Sequence, residues 1–99
     1  MESQAITKLL GDRTASVPVS STKSMIGHLL GGAAAVESVA TVLTLHTGIA
    51  HPTTNQFTPD PDIKLDTIPN QARTINARVA IKNSFGFGGH NASLVYGKI

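Results

Sequence analysis

Gly27, Gly31 and Ala35 recur every four positions at the start of a run of apolar residues that extends from Leu29 to Leu45. Spacing of four puts them on one face of a helix, and that face has almost no side-chain thickness. A glycine inside a helix costs about 1 kcal/mol relative to alanine, so Gly31 and Gly32 predict close packing against a sheet or another helix. The same spacing serves helix dimerisation in membranes. Here the run is short for a bilayer span and carries Glu37 in its middle, so it is read as a buried helix from Gly27 to about Leu45.

The flanking sequence places that helix in an α/β layer. Glu2 to Leu10 carries Ala5, Ile6, Leu9 and Leu10 on one side and meets Gly11, the pattern of a short amphipathic helix with a glycine stop. Val17 to Ser20 is a candidate strand, and strand followed by helix points to layered α/β packing. Beyond Gly48, Pro52, Pro59, Pro61 and Pro69 interrupt regular structure, which predicts an ordered surface loop. Arg78 to Phe85 and Ala92 to Tyr96 read as strands around a glycine-rich turn, a hairpin whose tip is either functional or simply structural.

Composition narrows the function. The net charge of +2 is small and the lysines and arginines are dispersed, which does not indicate nucleic acid binding. Such a surface attracts acidic partners weakly at most. The chain has no cysteine, so it has neither disulfides nor thiolate metal sites. His46 and His51 flank a turn without a third ligand of suitable spacing, and no metal or cofactor is expected. The opening residues lack the zones of a secretory signal, so export is not predicted. With Phe57, Phe85, Phe87 and Tyr96 as its only aromatics, the chain has little bulk for an independent core. Packing against further sequence is expected.

Two segments carry chemistry. Thr22-Lys23-Ser24-Met25-Ile26-Gly27-His28 places a lysine and a histidine where an extended segment turns into the helix. In the first turn of a helix the unpaired N–H groups and the macrodipole favour the neutral form of an imidazole, which then offers one donor to a carbonyl oxygen. The alternative is a histidine satisfied by backbone. Glu37 lies on a narrow polar stripe of the helix, and Lys23 is its natural partner; the alternative is a solvated carboxylate. The second segment is Asn83-Ser84-Phe85-Gly86-Phe87-Gly88-Gly89, where Gly86, Gly88 and Gly89 allow backbone N–H groups to approach an anion closely. It matches neither a dinucleotide loop nor a P-loop.

Both segments, their spacing, and the loop His51-Pro52-Thr53-Thr54-Asn55 with Pro59-Asp60-Pro61 resemble the C-terminal part of β-ketoacyl-acyl-carrier-protein synthases, the elongating condensing enzymes of fatty acid synthesis, from about Glu2 to the end of the chain. The resemblance implies a thiolase-like α/β fold, here a partial C-terminal half-domain over residues 1–99. It implies acyl transfer: an acyl group on an active-site cysteine condenses with malonyl-carrier protein as carbon dioxide leaves. Of the family's cysteine and two histidines, only the second histidine has a counterpart, His28, the implied donor to the malonyl thioester carbonyl. Lys23 and Glu37 match a linked lysine and glutamate that support the site electrostatically. Phe87 matches a residue whose amide joins the oxyanion hole and whose ring gates acyl entry.

Implied partners are the acyl carrier protein, whose phosphopantetheine carries the substrates, a cysteine-bearing N-terminal half, and a second copy in a homodimer. The implied location is the cytoplasm, or an organelle if a targeting segment lies upstream. Ile26, Gly32, Ala35 and His90 depart from threonine, alanine, glycine and threonine in many relatives. Without a thiol, the 99 residues alone are expected to be inactive. A reading of another class stays open: a catalytically dead module that pairs with a separate N-terminal half.

Overall fold

The computed structural model describes all residues, Met1–Ile99. Helix α1 spans Glu2–Leu10 and is stopped by Gly11, whose N–H donates to the Thr7 carbonyl. A 3-10 turn, Gly11–Ser16, follows, anchored by buried Thr14, whose hydroxyl donates to the Gly11 carbonyl at 2.6 Å. The strand predicted over Val17 to Ser20 reduces to a single parallel bridge between Pro18 and Asp66, with the Val19 N–H donating to the Asp66 carbonyl at 2.8 Å. Proline has no N–H to extend a ladder, which explains why the pairing stops there.

The helix expected from Gly27 to Leu45 is broken into pieces. Helix α2 covers only Lys23–Ile26, a 3-10 turn covers Leu30–Gly32, and α3 runs from Ala33 to Thr47. Gly27 ends α2 at φ 76°, and Leu30 holds φ 49°, a left-handed backbone uncommon for a leucine. Apolar spacing reports which face is buried, not where φ changes sign, so the break was invisible to it.

Strands β1 (Ile49–Ala50) and β2 (Arg73–Thr74) form a short antiparallel pair. Strands β3 (Val79–Phe85) and β4 (Asn91–Gly97) form the predicted hairpin, in register from Val79 opposite Gly97 to Phe85 opposite Asn91. Helix α3 packs on β3, β4 and β1. The proline-rich segment between β1 and β2 is ordered by its own bonds: the Gln56 N–H donates to Asn70 Oδ1 at 2.9 Å, Thr67 donates to Gln56 Oε1 at 2.8 Å, and Thr53 bridges to Pro69.

The expectation of a buried central helix does not hold within this chain. Only Ala33, Leu45, Ala50 and Ile68 form an apolar core, while Val36, Val39, Val42 and Leu43 of α3 and Val79, Ile81 and Val95 of the hairpin are exposed. Nor does the small-residue face meet a close neighbour: a β-carbon built at Gly27 or Gly31 would touch nothing within 4 Å, and one at Gly32 only Leu29, at 3.9 Å. Ninety-nine residues with few aromatics cannot cover both faces of a helix. No helix is long and apolar enough to cross a membrane.

Candidate functional site

His28 lies outside any helix, in the exposed connection between Ile26 and Leu30. This corrects its expected place in a first helical turn and removes the dipole argument attached to it. What orients the ring is local. The Leu30 N–H donates to His28 Nδ1 at 2.9 Å. A ring nitrogen that accepts carries no hydrogen, so in this arrangement the imidazole proton sits on Nε2, which is left as the donor. The near-zero ψ of Leu29, 20°, is what turns the next amide back onto the ring two residues before it, and Leu30 itself then holds a left-handed φ. Strained backbone of this kind gathers at functional sites. Spacing along the sequence carried no signal of it.

Lys23 opens α2 and reaches α3, where its ammonium donates to Glu37 Oε1. The second Glu37 oxygen takes Lys82 from β3, Nζ to Oε2 at 3.1 Å, and Lys82 also donates to Ser84 Oγ. Glu37 therefore joins the lysine of the first motif to the serine of the second. Glu37 and Lys82 are both buried, whereas Lys23 is 40% exposed along its side chain. Burial pushes the Glu37 carboxyl up, and the hydrogen bonds and charges of Lys23 and Lys82 outweigh it, leaving the group below the usual glutamate range. Two ammonium groups around one carboxylate leave one net positive charge. Lys82 was missed because a lysine in a strand reads as a solvated charge; the signal available was its position facing α3, on the same side of β3 as Ala80 and Ser84.

The floor of α2 is tied to the proline-rich loop. Thr54 donates twice to Ser24, its N–H to Ser24 Oγ at 2.9 Å and its hydroxyl to the Ser24 carbonyl at 2.7 Å. His51, which the sequence offers no third residue to join in a metal site, donates from Nδ1 to the Pro52 carbonyl and shares a 3.0 Å bond between Nε2 and the Thr22 hydroxyl. It thus braces the residue beside Lys23.

At the hairpin tip the Gly86 N–H donates to the His90 carbonyl at 2.6 Å, and Phe87–Gly89 make a tight turn in which Gly88 and Gly89 hold φ 77° and 82°. This turn presents the Phe87 ring to solvent, 93% exposed. His28 is exposed as well. Two open depressions, of about 350 and 270 Å³, lie elsewhere, one between Pro18, Asp66, Arg73 and Ile75 and the other along Ile68 to Arg73, and neither includes His28 or Phe87. No group of three or more histidine, aspartate or glutamate side chains is arranged to hold a metal ion.

Comparison with known proteins gives the arrangement a context. The sequence profile described as beta-ketoacyl synthase, C-terminal domain, matches residues 1–57. The chain is 48% identical over 97 residues to 3-oxoacyl-[acyl-carrier-protein] synthase 2 of Synechocystis sp., covering 98% of this chain and 23% of the relative. It is 49% identical over 80 residues to the chloroplastic 3-oxoacyl-[acyl-carrier-protein] synthase I of Hordeum vulgare, covering 81% of this chain and 17% of the relative. Among solved structures, one chain from the complex of a type II PKS acyl-carrier protein with its ketosynthase bound to the hexaketide superimposes with a TM-score of 0.94 at 44% identity, covering 99% of this chain and 24% of that one. The chain spans about a quarter, or less, of the length of these relatives.

Proposed function

The chain belongs to the β-ketoacyl synthase family, and from that premise we propose that its residues form the malonyl side of a decarboxylative condensing site. The observation that carries this reading is the 2.9 Å bond from the Leu30 N–H to His28 Nδ1, which leaves Nε2–H as a donor at an exposed position.

The chemistry follows from that donor. Loss of carbon dioxide from a malonyl thioester breaks the bond between the carboxylate carbon and C2, and the electron pair moves into the thioester carbonyl as an enolate. A donor aimed at that oxygen stabilises the developing charge more than the ground-state carbonyl, which is how it lowers the barrier. The net positive charge of the Lys23, Glu37 and Lys82 cluster favours the same oxyanion. The enolate carbon then attacks the carbonyl carbon of an acyl thioester; the second oxyanion that forms is the one the Phe87 amide is proposed to hold, and its collapse breaks the acyl C–S bond and returns the thiolate, with the Phe87 ring gating acyl entry. Gly86, Gly88 and Gly89 give the turn its shape.

The acyl group must be presented by a thiol from elsewhere, because none of the 99 residues is cysteine. The exposed apolar faces of α3 and of the hairpin are the surfaces on which the cysteine-bearing part of a synthase is proposed to pack. An acyl carrier protein is the proposed partner that delivers malonate on its phosphopantetheine, and a homodimer is the proposed assembly of the whole enzyme. No cofactor beyond that carrier arm enters the reading.

The test is a transplant. Residues 1–99 replace the matching segment of the Synechocystis synthase, and condensation of acyl- with malonyl-carrier protein is measured. Retained condensation supports the proposal; a folded, acylated chimera that does not condense contradicts it.

A further inference from the structure

Lys82 occupies the middle of β3, and at 6% exposure it is the one buried residue of that strand. An ammonium between a strand and a helix is stable there only if paired and hydrogen-bonded. Both conditions are met by residues outside its own position: Glu37 Oε2 on α3, at 3.1 Å, and the Ser84 hydroxyl one strand repeat away. The other oxygen of the same carboxylate is occupied by Lys23 from α2. Three elements distant in sequence thus converge on one carboxylate. Lys23 leads through the Gly27 break to His28, and Ser84 leads directly into Phe85-Gly86-Phe87.

We propose that Lys82 is a positioning residue: by sharing Glu37 with Lys23 and holding Ser84, it keeps the Phe85–Gly89 turn in fixed relation to the segment that carries His28. Without Lys82, the polar link between Glu37 and the hairpin is lost, and α3 holds β3 and β4 through its remaining packing contacts. Those resist separation but do not fix direction as two hydrogen-bonded ions do. With Lys82 present, a shift of the tip is felt at Lys23 and a shift of α2 at Ser84. The inference deepens the functional reading above, since it names what aligns the proposed donor with the proposed oxyanion turn. Its geometric content stands apart from any turnover.

The test uses the full 99-residue chain, labelled with 15N and 13C, and no readout depends on condensation. The wild-type chain should show a Lys82 ammonium signal protected from exchange with water. In Lys82→Met, the Lys23 ammonium and the His28 ring nitrogens, which Lys82 does not touch, should shift together with the Phe85–Gly89 amides, and Lys82→Arg should restore them. Should Lys82→Met lose its folded dispersion, Glu37→Gln decides: the Lys82 ammonium should lose protection and the Phe85–Gly89 amides should move. The proposal is overturned by an unprotected Lys82 in the wild-type chain, by shifts confined to β3 and β4 with His28 and Lys23 unmoved, by Lys82→Arg behaving like Lys82→Met, or by a folded Glu37→Gln with the tip amides unchanged. A failed transplant with these NMR results intact would reject the synthase reading and keep the clamp.

Discussion

Lys23 on α2 and Glu37 on α3 are joined by a direct hydrogen bond between ammonium and carboxylate, and the burial of Glu37 makes that bond matter for the pH at which the fold survives. The folded carboxyl titrates below its unfolded value. A depressed carboxyl contributes stability that is fully present above the unfolded value, about 4.3 for glutamate, and is lost as pH falls through the folded value.

Denaturant unfolding of the wild-type chain between pH 7 and pH 3 should therefore show stability constant at first and falling below about pH 4.3. Glu37→Gln should be less stable at pH 7 and should lose less on acidification. Equal pH slopes for the two would show that Glu37 is not the group responsible.

Gly27→Ala should destabilise by about 1–2 kcal/mol, because φ 76° places an added side chain in the left-handed region while the space around it is open. For a chain of this size that is a fall in Tm of roughly 4–16 °C, read by thermal denaturation. The same variant lets α2 extend toward His28, so the downfield Leu30 amide that marks its bond to Nδ1 should move. A neutral effect on Tm would mean that the break in the helix is not enforced by this glycine.

Asn70→Ala should open the proline-rich loop. It removes the acceptor of the Gln56 N–H and the donor to the Gln56 carbonyl, 2.9 and 2.6 Å, and puts alanine at φ 61°, a conformation asparagine tolerates better. A loss of about 1–3 kcal/mol is expected from two exposed bonds and the backbone term together. Limited proteolysis should cut between Pro52 and Pro69 faster in the variant than in the wild type.

The parts of this fold legible in the sequence are those set by local rules. Gly11 ends α1 where the apolar side of the helix runs out, and alternation with a glycine turn marks β3 and β4. The Lys23–Glu37 pair followed from a carboxylate on an apolar helix, which must find a cation. What was not legible depends on φ or on distant partners. The break at Gly27 and Leu30 hides inside an apolar run, and with it the true seat of His28. Val17 to Ser20 has strand composition but only Asp66 to pair with. Lys82 reads as surface charge until α3 brings Glu37 over it. The exposed valines of α3 show that apolar patterning reports what a face is suited to meet, not whether this chain supplies the neighbour.

The most direct test of the central claim is His28→Ala in the transplanted synthase, with acylation of the active-site cysteine and decarboxylation of malonyl-carrier protein measured separately. Loss of a single oxyanion donor is worth about 10²–10³ in rate. The account predicts a fall of that order in decarboxylation with acylation within a few-fold of the parent. Equal losses in both steps, or decarboxylation unchanged, would contradict it.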